Sequence, residues 1–440
     1  MDRLEALARA VETSLADLEF VEVSGTVREV SPTSYRVSGL SALVKLGDRV
    51  SLRTRGQNTL GEVVRVDEAG ATVKPFDTRF PVGIGMAAHL HGPMQLRPAP
   101  SWKGRVINAL GEPIDGLGGL ARGNRPVALD AAPPPAMTRQ RVVRPLRTGV
   151  RVVDLFTPFC VGQRIGIFSG SGVGKSTLLS MIARSTGFDT VVVALVGERG
   201  REVREFLEGP LAENRMKAIA VVATGDESPM LRRLALFSAM SIAEYFRDSG
   251  ESVLLIVDSV TRYAHSVRDV ALAAGEPAVA RGYAPSVFSD LPKILERAGP
   301  GPNGAGSITG IFAVLVDGDD HNDPVADAIR GTLDGHIVLD RSIADQGRYP
   351  AVNVLGSISR LADLVWTPEQ REVVRSLKTM IARFEDTRDL RLMGGYQAGA
   401  DAELDQAVAV VPRIYNALRQ HPGVRPSADA FAELAQVLRG

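Results

Sequence analysis

The order of apolar and polar positions divides the chain into regions of different period. From Met1 to about Leu18, Leu4, Leu7, Val11, Leu15 and Leu18 recur at steps of three and four, with Arg3, Glu5, Arg9 and Glu12 between them. That spacing predicts an amphipathic helix over 1–18. Its apolar face could pack on its own domain or receive a partner, and the pattern leaves both open. From Val21 the period shortens to two. Val21–Val23, Thr26–Val30, Tyr35–Val37, Arg49–Leu52, Glu62–Val66 and Thr72–Lys74 read as short strands punctuated by Gly39, Gly47, Gly56, Gly61 and Gly70. Six such strands predict a small closed barrel over 19–96. It lacks an aromatic pair interleaved with Lys or Arg, so a structural barrel is expected over a nucleic-acid-binding one.

Residues 97–148 are rich in Pro and Gly, and Pro133, Pro134 and Pro135 exclude a helix or a central strand there. The segment reads as a linker and entry to the next domain. From 149 to 365 strands alternate with helices. Thr190–Val196, Ala218–Ala223, Val253–Asp258, Gly306–Val316 and His336–Leu339 are strand-like, while Glu202–Leu207 and Met230–Arg247 are helical. This order predicts a parallel sheet with crossover helices. Residues 366–440 read as a helical domain. Thr367-Pro-Glu-Gln370 has the capping-box form, and Val373, Leu377, Met380, Ile381 and Phe384 trace one face. Ser427 is placed to cap a closing helix through Phe431, Leu434 and Leu438.

Composition narrows the class. The 440 residues carry 51 basic and 51 acidic side chains, so no bulk charge draws the chain to nucleic acid or anionic lipid. Aromatic residues are 5%, which argues against a base-stacking surface. One cysteine, Cys160, excludes an intrachain disulfide and suits a reducing compartment, with a buried structural thiol expected. The N-terminus has no apolar secretory core, and the longest apolar runs have strand length. A soluble cytoplasmic protein is expected.

The stretch Ile165–Leu179 carries the chemistry. An apolar strand feeds Ser169-Gly-Ser-Gly-Val-Gly-Lys-Ser-Thr177, and an apolar-periodic helix follows. Small residues let backbone N–H groups converge on phosphate oxygens, and the helix N-terminus adds partial positive charge. Ser169, Gly170, Ser171, Gly172, Val173, Gly174, Lys175, Ser176 and Thr177 therefore form a candidate nucleotide cradle. Lys175 would reach the β- and γ-phosphates and Ser176 would ligate Mg²⁺. The usual pattern has glycine where Ser169 stands, and a serine fits if its φ stays negative. Asp258 ends an apolar strand and can accept from Mg²⁺-bound water. Glu198 ends another, where it could polarise water in line with the γ-phosphate while Arg199 touches that phosphate. A merely solvated turn, Gly197-Glu-Arg-Gly, is the alternative.

Gly104–Pro113, Ser169–Thr177, Gly197-Glu-Arg199, Tyr349-Pro-Ala-Val352 and Ser357-Ile-Ser-Arg360 together resemble the rotary-ATPase catalytic subunits. Within that superfamily the chain is most similar to the flagellar type III protein export ATPases. The segments that carry this are Gly197–Arg204, Asp258–Tyr263, Ala273–Pro277, Arg281–Pro292, Leu295–Gly299 and Leu333–Leu339. The resemblance implies an α/β RecA-like P-loop core with an N-terminal six-stranded β-barrel and a C-terminal helical domain. It implies a homohexamer hydrolysing ATP between subunits, with Glu198 activating water, Lys175, Ser176 and Arg199 on phosphate and metal, and Tyr349 on adenine. Arg360 matches the arginine that a neighbouring subunit inserts. One polypeptide supplies both Glu198 and Arg360, which favours a homo-oligomer. Further implied partners are a stator-like regulatory protein at the N-terminal helix, a central stalk protein, the membrane export gate, and export substrates with their chaperones. The implied location is cytoplasmic, peripheral at the inner-membrane export apparatus. An injectisome ATPase shares these motifs. An RNA-translocating hexameric helicase is the distant alternative, and the neutral charge speaks against nucleic acid. Asn353 stands where many relatives carry aspartate.

Overall fold

The computed structural model describes residues 22–54, 57–77, 79–209, 211–316 and 323–439. The expected helix over 1–18 lies outside them. The chain separates into two compact units, Met1–Met94 and Gln95–Gly440.

The first unit is a closed antiparallel barrel. Its strands run Ser24–Val30, Tyr35–Ser38, Gly70–Pro75, Gln57–Asp67, Asp48–Thr54 and Ala87–Pro93, the last returning to the first. Alternate residues fill it: Val27, Tyr35, Val37, Val50, Leu52, Val63, Ala71, Val73 and Ala88 are buried. The strand count matches the expectation, but one member differs. Val23 precedes the first strand and packs against the core, and the strand that closes the barrel is Ala87–Pro93. That strand reads Ala-Ala-His-Leu-His-Gly-Pro, so its inward side is marked only by a small Ala88 and Leu90, and its alternation is faint.

The second unit is built on a nine-stranded sheet. Its order is Ile358–Ser359, Gly335–Leu339, Arg164–Ser169, Ser307–Leu315, Ser252–Asp258, Thr190–Glu198, Ala218–Thr224 and Val106–Asn108, with Gly299–Pro300 pairing onto Ser307–Leu315. The central strands are parallel and buried on both faces, which is why they read as continuous Val, Ile and Leu runs rather than as alternations. The edge strand Val106–Asn108 comes from the Pro/Gly-rich stretch. It pairs parallel with Ala220–Val222, and Arg105 braces the turn behind it with two bonds to Asp115, at 2.7 and 2.9 Å.

Helices Pro368–Asp386, Ala402–Leu418 and Ala430–Arg439 close the chain. The Thr367–Gln370 capping box is present. Two details differ from the sequence reading. The inward face of the first helix uses Val374, Leu377 and Ile381, whereas Val373 is 47% exposed. Positions 373 and 374 both lie within a turn of Leu377, and packing on the helix Ala402–Leu418 selects the second. Ser427 does not cap the last helix. Asp429 Oδ1 accepts from the N–H groups of Phe431 and Ala432, both at 3.1 Å, and Ser427 instead donates to Glu433 at 2.7 Å.

Candidate active site

The register of the sheet puts the candidate residues on one edge. Ser169 is the last residue of its strand, paired with Leu315 and Leu339 on either side, and Leu195 is level with Asp258. The turn after Ser169, Glu198 and Asp258 therefore all lie at the carboxyl ends of parallel strands, where open α/β sheets bind ligands. Ser169 sits in the strand itself, in extended backbone that any residue adopts. Its hydroxyl is buried without a protein partner among the described residues.

Gly174 caps the helix Lys175–Ala183 with φ +99°, a left-handed conformation that a side chain resists. Among the described residues no side chain caps this helix, which leaves its first-turn N–H groups without a side-chain acceptor there. That is the donor set an anionic phosphate requires, and the residues present fit one. Lys175 Nζ points along the same edge, donating to Asp258 Oδ1 and standing 3.5 Å from Glu198 Oε1.

Ser176, Thr177, Glu198, Glu202 and Asp258 line one cavity of about 430 Å³. Among the described residues no group of three His, Cys, Asp or Glu side chains could hold a metal. A hydroxyl at Ser176 and a carboxylate at Asp258 are instead the sparse oxygen set that Mg²⁺ takes when phosphates complete its shell, so the residues fit that ion.

Glu198 is almost fully enclosed, with 7% of its side chain exposed. Burial, a hydrogen bond shared with Glu202 and the Asp258 charge push its carboxyl up to about 7, against the opposite pull of Lys175 and Arg262. The shared bond holds the Glu202 carboxyl below its ordinary range. A carboxyl poised near neutrality suits proton transfer.

The arginine that faces Glu198 is one to which the sequence reading gave no role. Arg199 does not turn into the cavity. It is the extended N-cap of the helix Gly200–Glu208, its side chain is 84% exposed, and its only ion pair among the described residues lies 3.8 Å away at Glu202. Arg262 takes the inner position. Its Nη1 meets Glu198 Oε2 at 2.8 Å and also donates to the Gly197 carbonyl. Gly197 has φ +70°, and a Cβ there would lie 3.0 Å from Arg262 Cδ, so glycine leaves the space through which Arg262 reaches the carboxylate. Arg262 lies four residues after Asp258, on the next helix, within the segment Asp258–Tyr263 that carries the family resemblance. Glu202, a turn after Glu198, likewise had no role assigned from sequence.

Tyr349 does approach the cradle. A Cβ at Gly174 would lie 3.5 Å from two of its ring carbons, and the side chain is 43% exposed, leaving an open aromatic face. Arg360 does not. Its N–H bonds the Asp334 carbonyl at 2.9 Å, and Asp334 Oδ2 accepts from the Arg164 N–H, so Arg360 sits at the start of the P-loop strand. Ser169 is five residues further on, about 17 Å at strand rise. The Arg360 side chain is exposed and makes no ion pair among the described residues.

At its far end the cavity is lined by Arg184, Glu213 and Pro422. Arg184 follows the P-loop helix directly. It holds Glu213 with two bonds, at 3.0 and 2.8 Å, and donates to the Pro422 carbonyl beyond the helix Ala402–Leu418.

Comparison with known proteins shows the family to which the chain belongs. The model of the ATP synthase alpha/beta family nucleotide-binding domain matches residues 149–359, and that of the T3SS EscN ATPase C-terminal domain matches 366–436. A flagellum-specific ATP synthase of Rhizobium meliloti is 58% identical over 437 residues, covering 99% of this chain and 93% of that protein. The SPI-2 type 3 secretion system ATPase of Salmonella typhimurium is 44% identical, covering 82% of this chain and 83% of its own. Among solved structures, the assembled ATPase EscN of the enteropathogenic E. coli type III secretion system superposes with a TM-score of 0.87 at 38% identity, covering 94% of this chain and 99% of that one. EscN in complex with its central stalk EscO gives 0.86 at 38% identity, covering 94% and 100%.

Proposed function

Because this chain belongs to the flagellum-specific ATP synthase family of type III secretion ATPases, we propose that it hydrolyses ATP to ADP and phosphate in support of flagellar protein export, as a homohexamer. The observation that carries the reading is the convergence of Lys175, Glu198 and Asp258 beside a helix N-terminus with no side-chain cap. Identity of 58% to a flagellar relative against 44% to an injectisome ATPase favours the flagellar system.

In this reading the backbone of Ser169–Thr177 and Lys175 bind the phosphates, and Ser176 with Asp258, the latter through water, hold Mg²⁺. When bound, the ion neutralises charge developing on the phosphate oxygens. Glu198 accepts the proton of the attacking water, and Arg262 and Lys175 hold that carboxylate in place. Tyr349 packs on the adenine. Arg199 starts in solvent and reaches the γ-phosphate only by swinging inward. Arg360 is too far along its strand to serve its own cradle, and it completes the site of an adjoining copy, contributing roughly 10³–10⁵ in rate as a finger in trans.

The partners follow by analogy. EscN is known in complex with its central stalk EscO, and the matching segment 366–436 here is assigned to a stalk protein and the export gate. Residues 1–18 are assigned to a stator-like regulatory partner, and substrates with chaperones are the cargo. Among the described residues no helix is long and apolar enough to cross a membrane. A cytoplasmic protein held peripherally at the inner membrane accords with that.

Phosphate release by the purified full chain with Mg²⁺ and ATP, measured against protein concentration alongside mass by light scattering, tests the reading. Specific activity should climb as oligomers form. Hydrolysis that is fully active in a monomer overturns the shared site, and no phosphate release at any concentration overturns the enzyme.

A further inference from the structure

The loop between Leu339 and Val352 touches the P-loop twice. Tyr349 lies against Gly174, as described, and Arg341 Nη2 donates to the Ser171 carbonyl at 3.0 Å. Arg341 opens a short helix, Arg341–Asp345, immediately after the strand that pairs beside Ser169. The loop is anchored by Asp340. Its Oδ1 accepts from the Ser342 N–H and hydroxyl, both at 2.8 Å, and its Oδ2 accepts from Asn353 Nδ2 at 3.2 Å. Asn353 Oδ1 in turn accepts from the N–H groups of Leu355 and Gly356, at 3.1 and 2.8 Å. Asn353 thus serves as donor on one side and acceptor on the other. An aspartate could not donate, and it would set a second carboxylate against Asp340.

We infer that Arg341 is a positioning residue for the phosphate cradle, and that the Asp340–Asn353 pair fixes the loop from which it reaches. The inference rests on the reading of Ser169–Thr177 as the nucleotide site. In a trans peptide the carbonyl and the following N–H point in opposite directions. Holding the Ser171 carbonyl on the Arg341 side therefore directs the Gly172 N–H to the other, as a donor for phosphate oxygen. Arg341 itself touches no reacting atom. Its loss loosens one wall of the cradle, which affects ground-state and transition-state binding alike, so KM moves and kcat does not.

The test is steady-state hydrolysis together with equilibrium binding of a fluorescent ATP analogue, on full-length protein. Arg341→Ala should raise KM and the analogue's Kd about five- to tenfold, the range of one charge-assisted hydrogen bond at an exposed position, with kcat within about twofold. Arg341→Lys, which keeps a donor, should recover most of that loss. Asn353→Asp should shift KM in the same direction, and the exchange Asp340→Asn with Asn353→Asp should bring it back to within about twofold, because one amide and one carboxylate again face each other. Unchanged KM in Arg341→Ala, or an exchange no better than Asn353→Asp alone, overturns the inference. Lys175→Ala separates the two layers of argument. If that variant still binds the analogue at full affinity, the nucleotide site itself is misplaced. If it loses binding while Arg341→Ala does not, only the role of Arg341 falls.

Discussion

The separation between Arg360 and its own P-loop yields the sharpest test. The register sets Ser359 opposite Gly335, and the Arg360 N–H bonds the carbonyl of Asp334, level with Arg164. From there to Ser169 the strand covers about 17 Å, beyond the reach of an arginine side chain. Arg360→Ala should therefore leave nucleotide binding intact, since nothing in that subunit's own cradle changes, while turnover drops by about 10³-fold or more. Lys175→Ala should fail for the complementary reason, with a full arginine and a broken cradle. Mixed in equal amounts and allowed to exchange, the two proteins assemble rings in which a site works only when its cradle comes from an Arg360→Ala copy and its finger from a Lys175→Ala copy. Each condition holds with probability one half, so about a quarter of the sites should be competent, for a ring joined head to tail. Phosphate release plotted against mixing fraction should trace a parabola that vanishes at both ends and peaks at equal amounts. A flat line at zero, with light scattering showing mixed oligomers, refutes donation in trans. An Arg360→Ala protein that hydrolyses ATP by itself refutes the finger altogether.

Three more outcomes follow from the carboxylate cluster. Glu198→Gln should bind ATP normally and lose at least about 10²-fold in turnover, checked by analogue titration beside phosphate release. In the native protein kcat/KM, which reports the free enzyme, should fall on the acid side with a midpoint near 7 as Glu198 takes up a proton, leaving about one-tenth of the plateau a unit lower. The neighbours should move that midpoint in opposite senses. Glu202→Gln removes a partner that favours the protonated form and should shift it to lower pH, whereas Arg262→Ala removes a stabilising cation and should shift it upward. Shifts in the same direction for both variants would refute the assigned electrostatics.

The P-loop was legible in sequence because strand, turn, lysine-serine pair and helix each constrain the others. Asp258 and Glu198 were legible because a carboxylate at the end of a continuous apolar strand has few structural uses. Arg262 was hidden, since its contact with Glu198 joins the end of one strand to the helix that follows another, far along the sequence, and local pattern carries no information on such pairs. Arg199 adjoins Glu198 in sequence, yet the extended backbone at the N-cap turns neighbouring side chains apart. The barrel's closing strand and the edge strand Val106–Asn108 escaped because tertiary pairing, not propensity, makes them strands. Asn353 looked like an arbitrary departure until the fold set it against Asp340.

The helix that starts at Lys175 ends one residue before Arg184, and its nine residues span about 14 Å. One end of this rod is the Gly174–Lys175 turn of the candidate phosphate cradle. The other is bolted to Glu213 and to the peptide carbonyl of Pro422, just past the helix Ala402–Leu418. Because a backbone-hydrogen-bonded helix scarcely compresses along its axis, a displacement imposed at its first turn would be handed on to the root of the C-terminal helices. A single stiff element would then join the hydrolytic edge of the sheet to the C-terminal helices, with Arg184 as its joint.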